Sequence, residues 1–332
     1  MPQDSTNILL HDSILAENAL QDSLHHFLYA QQEPAPHVWH SIRVPGPGGI
    51  TMFILVILIM GMVLYWLPLF GKRVFQLLRD RKLFSKARML YWQRHAQYDK
   101  LLAQYMPYYR KLDSEKKELF LHRTLIFMSA KEFKFNDIEK EDRIPLLISA
   151  AAIQLTFGLD HYMLDYFTTI YVLPNKYRYG GNEVPFQGHV SDDGIYFSWE
   201  NFLQAFANYN DGDNVGLHEM AHALAFVNVM EDEGGDDGFR SRFTEFSKTG
   251  KMIFEEIQVK GNYLLGSYAA TNYNEFWAVS VEKFFEQPAA FRALLPELYK
   301  AMCELLNQDP LSRELFLHPI EEIYNQHIAK AS

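Results

Sequence analysis

Cysteine is almost absent: one thiol, Cys303, stands in 332 residues. That excludes an internal disulfide and any zinc module built on several thiolates, and it fits a reducing compartment. Basic charge is scarce as well. Lys and Arg number 31 against 41 Asp and Glu, a formal net of −10, which argues against a general nucleic-acid binder, so no nucleic-acid partner is expected. No internal repeat is visible that would mark a solenoid. What the chain does have is 48% apolar and 22% charged residues, the balance of a folded protein with a substantial core. Aromatics reach 15%, enough for a tightly packed interior or for membrane contact, and only position along the chain separates these.

Charge is distributed unevenly. Residues 1–49 carry five acids (Asp4, Asp12, Glu17, Asp22, Glu33) against Arg43, a net of −4. Residues 50–70, ITMFILVILIMGMVLYWLPLF, carry none. Residues 71–88 then hold seven bases against Asp80, a net of +6, which leaves −12 for residues 89–332. As a helix, the uncharged run would span ~32 Å, the thickness of a bilayer's hydrocarbon, with Tyr65 and Trp66 near one interface. A transmembrane helix is the expectation. The basic flank then places the C-terminal bulk in the cytoplasm and the acidic tail outside. A second apolar stretch, 144–159, is too short to span and reads as a core helix.

Residues 8–32 have roughly helical spacing of Leu9, Leu20, Leu24 and Phe27, and the prolines from Pro34 onward end the pattern. Helices are expected at 74–110, 114–135 and 144–165, a strand at 166–174, and two strands within 183–199 joined at Ser191-Asp192-Asp193-Gly194. Helices follow at 200–209, 214–228, 239–260, 274–286 and 289–307, with a Gly- and acid-rich loop at 231–238. The fold class is α+β, mostly helical, with a small sheet just before the central helix.

That central helix carries His218-Glu219-Met220-Ala221-His222. Residues four apart share a helix face, so both imidazoles can bind one ion while Glu219 leans toward the bound water as a base. Asp213 or Asn214 can cap the helix. Val215, Leu217, Ala221, Leu224 and Ala225 make it a buried helix, in which two histidines and a glutamate are costly unless paired or metal-bound.

A zinc site needs a third protein ligand and an open position. The extended pattern H-E-x-x-H-x-x-G-x-x-H would require Gly at 225 and His at 228, but Ala225 and Asn228 stand there. A glutamate on a second helix is the expected source. Glu245 sits among Arg240, Arg242 and Lys248 and reads as a solvated, ion-paired face. Glu275 opens an apolar helix (Phe276, Trp277, Val279, Val281), where a carboxylate needs a reason, and it is favoured. Glu282, seven residues on, is the fallback ligand or a partner to a ligand.

These residues carry a resemblance. The 218–222 motif preceded by Asn214, Tyr268-Ala269-Ala270 followed by Asn274-Glu275-Phe276-Trp277-Ala278-Val279, then Glu282 and Phe284-Phe285, resemble the Mlc titration factor A family of zinc peptidases. That family's zincin-like catalytic fold is similar to the protease domain of anthrax lethal factor. The likeness covers about residues 110–310. It implies His218, His222 and Glu275 as ligands of one Zn²⁺, Glu219 as general base, and Tyr268 as a donor to the oxyanion that develops on the scissile carbonyl. The chain also departs from the family pattern: Leu224-Ala225 stands where Leu-Asp is frequent, and the membrane helix and acidic tail are additions.

The resulting expectation is a zinc metallopeptidase anchored in a bacterial inner membrane: an acidic tail (1–49), a transmembrane helix (50–70), a basic juxtamembrane segment (71–109) and a zinc peptidase domain (110–332). Its partners would be a peptide or protein substrate and the bilayer. Trp199, Tyr268 and Trp277 would favour apolar or aromatic side chains in the substrate. The alternative is a membrane-tethered protein that sequesters a cytoplasmic regulator, with zinc in a structural role.

Overall fold

The computed structural model describes residues 47–319, apart from 182, 231–235 and 262–263. The expected helix at 8–32 and most of the 231–238 loop lie outside the described residues. The chain divides into two units, residues 1–73 and 74–332, and each is taken by itself.

In the first unit the described residues form the beginning of α1 (Pro47–Tyr105), a helix of 59 residues. The uncharged run 50–70 is helical throughout. Met52, Leu58, Met62, Leu64 and Leu67 are each 62–68% exposed. Among the described residues no helix is long and apolar enough to cross a membrane. Several side chains of the run fall outside that set.

In the second unit α1 buries Ala87, Tyr98 and Leu102, spaced so that they share one helix face. Met106 then adopts an extended conformation ahead of Pro107, which starts the short α2 (Pro107–Lys111). Asp113 caps α3 (Ser114–Ala130) by accepting from the Lys116 amide. α3 lies against α4 (Arg143–Thr156), and every α4 residue from Leu146 to Thr156 is buried. The apolar stretch that begins at Ile144 is therefore the central core helix.

The sheet has four strands in the order β1-β2-β4-β3: β1 (Glu132–Phe135), β2 (Thr169–Leu173), β3 (Gly188–Ser191) and β4 (Gly194–Ser198). β1 and β2, and β2 and β4, run parallel, while β3 and β4 form an antiparallel hairpin in which Ser191 pairs with Gly194. β1 corrects the expected 114–135 helix. The helix stops at Ala130, and Glu132-Phe133-Lys134-Phe135 alternates exposed and half-buried positions as the edge partner of β2. Four residues are too few for a period of two to stand out from a helical run that abuts them.

Beyond the sheet come α5 (Trp199–Ala207), α6 (Val215–Ala225), a π-turn (Phe226–Met230), α7 (Asp237–Lys260), a 3-10 turn (Tyr268–Ala270), α8 (Tyr273–Glu286), α9 (Pro288–Leu294) and α10 (Pro296–Leu306). The expected single helix 289–307 is broken because Pro296 has no amide to continue α9. The expected 144–165 helix likewise stops at Thr156. Two residues later Gly158 meets the end of α10 so closely that a Cβ would lie 2.4 Å from the carbonyl oxygens of Leu306 and Asn307.

That approach is backbone against backbone, so it cannot be relieved by a side-chain rotation. Gly158→Ala should cost about 1–3 kcal/mol of unfolding free energy, the usual range for overpacking. Denaturant unfolding tests this, and a variant as stable as the parent would show that the end of α10 yields freely.

Candidate metal centre

α6 begins at Asn214, whose side-chain oxygen accepts from the Leu217 amide at 3.0 Å. The helix is packed on three sides, against α4, α8 and the β3–β4 hairpin, and its residues Leu217, Met220, Ala221, Ala223 and Leu224 are buried. His218 and His222 are left on one partly open face. α8 starts at a second asparagine cap, Asn272, which accepts from the amides of Asn274 and Glu275 and so sets Glu275 in the first turn. The two helices are tied by Trp277, whose indole donates to the Ala221 carbonyl at 2.8 Å.

The three side chains converge. His218 Nε2 is 3.1 Å from His222 Nε2 and 3.0 Å from Glu275 Oε2, and His222 Nε2 is 3.5 Å from the same oxygen. Four-coordinate zinc with bonds near 2.05 Å places its ligand atoms ~3.3 Å apart, so this triangle has the dimensions of one face of such a tetrahedron. Glu275 Oε2 is buried and makes no well-formed hydrogen bond, although it faces two imidazoles. A buried oxygen so placed fits a cation. Among the described residues, His218, His222 and Glu275 are the group that could hold a metal ion.

The other two glutamates separate clearly. Glu282 Oε1 lies 2.6 Å from His218 Nδ1, on the side of the ring away from the triangle, so it orients the imidazole rather than competing as a ligand. Its other oxygen accepts from the Asn214 amide at 2.6 Å. Glu245 is not brought to the centre. It is exposed on α7, paired with Lys248 at 2.6 Å.

Electrostatics follow from burial. It pushes the Glu219 carboxyl up to about 7, with His218 and His222 pulling down and Glu275 and Glu282 pushing up. Burial also opposes charge on Glu275, but the facing rings of His218 and His222 outweigh it and hold that carboxyl well below the usual range. Tyr268 is 58% exposed, with its ring centre 5.9 Å from that of His218. Burial of part of the ring and the neighbouring Glu275 push its hydroxyl up to about 12, so it stays protonated and can donate.

A cleft opens on both sides of this centre, in two lobes of about 580 and 370 Å³ that share Phe186, Gly188, His218, Glu219 and Tyr268. Trp199 and Trp277 are buried and line neither lobe, which corrects the expectation that they shape substrate preference. The apolar walls of the larger lobe include Val184, Val215, Leu265 and Val279.

Gly188, which nothing in the local sequence marks, proves part of the centre. A Cβ there would lie 2.5 Å from Glu219 Cγ and 2.8 Å from its Oε1. Any side chain at 188 would drive the carboxylate from its place. Asn228, at the position of the histidine in the extended pattern, instead closes the end of α6. It donates to the Leu224 carbonyl and accepts from the Asp236 amide.

The chain is similar in sequence to known proteins over most of its length. The sequence model of the glucose-regulated metallo-peptidase M90 family matches residues 81–306. An uncharacterized protein of Synechocystis sp. is 23% identical over 252 residues, covering 70% of this chain and 89% of that protein. Mlc titration factor A of Escherichia coli O7:K1 is 27% identical over 204 residues, covering 54% of this chain and 72% of that protein. The same-named protein of Escherichia coli strain 55989 is 28% identical over 132 residues, and there the chain spans 46% of the relative's length.

The placement of the three glutamates ranks their effects on metal affinity, measured by competition with a chelator. Glu275→Gln should lower affinity most, Glu282→Gln by about 10–100-fold, as removal of a ligand's partner typically does, and Glu245→Gln not at all. An equal loss at Glu245 would contradict the arrangement.

Proposed function

The chain belongs to the glucose-regulated metallo-peptidase M90 family, and we propose that it is a membrane-anchored zinc peptidase in which His218, His222 and Glu275 hold the metal and Glu219 moves the proton. The observation that carries the reading is the convergence of two imidazole nitrogens and one carboxylate oxygen beside a second, buried carboxylate. A purely structural zinc site has no use for that second carboxylate.

Two neutral imidazoles and one carboxylate leave a net charge of +1 with Zn²⁺, and bound there the ion would polarise water and the scissile carbonyl as a Lewis acid. The rest falls to the protein. Glu219, walled by Gly188, accepts a proton from the attacking water and returns it to the leaving amine. Tyr268 donates a hydrogen bond from its hydroxyl to the oxygen on which negative charge develops. Glu282 keeps the His218 ring turned so that Nε2 faces His222 and Glu275, with which it would hold the metal. β3 is the last strand of the sheet and lines the cleft, so an extended peptide can pair with its open side.

The anchor rests on residues 50–70. Met52, Leu58, Met62, Leu64 and Leu67 point to all sides of the helix and are all exposed, so the helix has no single face that a protein core could cover. An apolar surface on every side suits lipid. With the basic residues that follow, this supports an outside N-terminus and a catalytic domain in the cytoplasm.

A second reading draws on the relatives named Mlc titration factor A: the chain would bind a cytoplasmic regulator and remove it from action. The two readings are separated by Glu219→Gln. As a peptidase, the purified protein should cleave peptides, lose the activity to a chelator and regain it with zinc. Glu219→Gln should lose about 10²–10⁴-fold in kcat while still holding zinc. Cleavage at the parental rate would reject Glu219 as the base, and a protein that holds a regulator without cleaving any peptide would favour the second reading.

The anchor makes its own prediction. The full chain should remain with membranes through alkaline extraction, and deletion of residues 50–70 should release it. A full chain extracted by alkali would refute the span.

A further inference from the structure

α8 carries carboxylates at 275, 282 and 286, spacings of seven and four that place them along one side of the helix. The first two belong to the centre described above. The third, Glu286, is only 4% exposed, and neither the metal nor the proton transfer uses it. Its partners show where it acts. Oε1 accepts from Asn214 Nδ2 at 2.8 Å, and Oε2 accepts from the Gly212 amide at 2.9 Å.

Both partners lie in the turn that leads into α6. The same turn is gripped from the end of α8 by three further bonds: Gln287 Nε2 donates to the Asn210 carbonyl, Lys283 Nζ donates to the Asp211 carbonyl, and the Asn214 amide donates to Glu282. Gly212 has φ +74°, a conformation that favours glycine, and the turn lies directly against the Lys283 side chain. Asn214 is the junction. Its side-chain oxygen caps α6, its amide engages the carboxylate that holds His218 Nδ1, and its side-chain nitrogen is held by Glu286.

We propose that Glu286 is a positioning residue for the metal centre: by holding Asn214 it fixes where α6 begins and keeps Glu282 aligned on His218. The proposal rests on the metal-site reading above. A buried carboxylate is a costly way to fill space, and an apolar side chain would fill it more cheaply if stability alone were required. The carboxylate provides two acceptors for two N–H donors on one turn, a match that neither a hydrocarbon nor an amide provides.

Exchange of donor and acceptor tests this. Glu286→Gln presents an amide nitrogen to one of the two donors, and Asn214→Asp sets two carboxylates against each other when the assay pH lies above the Glu286 pKa, which burial pushes up to about 8. The double variant restores complementarity with the roles reversed. An aspartate at position 214 still caps α6, and a glutamine at position 286 can donate to it while accepting from the Gly212 amide. The readouts are zinc affinity by chelator competition, the visible spectrum of the cobalt-substituted full chain, and melting temperature.

Each single variant should bind zinc about tenfold or more weakly with an altered cobalt spectrum, and the double should return to within about threefold of the parent. Single variants that melt earlier but keep parental affinity and spectrum would overturn the proposal, because the clamp would then be structural only. If a single variant does not fold, the double decides, and a folded double with about tenfold weaker zinc binding also overturns it. A parent that binds zinc yet cleaves no peptide would refute the peptidase reading and leave this inference intact, because affinity and not turnover is measured.

Discussion

Everything about the centre depends on holding three electron-rich atoms, two imidazole nitrogens and a carboxylate oxygen, within hydrogen-bond distance of one another in a partly dry site. Left to themselves such atoms repel or recruit protons, so the surrounding protein must supply the constraint. It does so with two helices whose N-termini are each fixed by an asparagine, Asn214 on α6 and Asn272 on α8. Capping fixes where each helix begins, and the Trp277–Ala221 bond ties the two helices together. Glu275, in the first turn of α8, also lies where the helix dipole favours a negative charge.

The sheet contributes by proximity rather than by chemistry. The β3–β4 hairpin packs against α6, and Gly188 leaves the space that the Glu219 carboxylate fills. Burial at that position raises the carboxyl toward neutrality, so one residue without a side chain influences both where that carboxyl sits and how readily it takes up a proton.

Much of this is legible in the sequence where the signal is local. His218, Glu219 and His222 lie within one turn or so of each other, and the apolar helix around them defines the face they occupy. Glu275 is preferred to Glu245 because its neighbours are aromatic and aliphatic rather than basic, and burial differs accordingly. The β3–β4 hairpin is marked by Asp193-Gly194. β1 escapes notice because four residues next to a helix carry too short a pattern. Gly188, Gly158 and Glu286 escape for a different reason. Each matters through atoms that approach it from far away in the chain, as in Glu219 against Gly188 or Asn307 against Gly158, and no periodicity records such an approach.

Under the proposed peptidase reading, the meeting of Gly188 with Glu219 has a consequence for how substrate length should act. Among the described residues strand β3 is hydrogen-bonded along one side only, so a peptide laid along its open side would stiffen the wall behind the Glu219 carboxylate. Residues of a substrate well removed from the scissile bond would then contribute to turnover and not merely to retention, because the order they impose on the strand is passed to the proton acceptor through a contact with no side chain to absorb it.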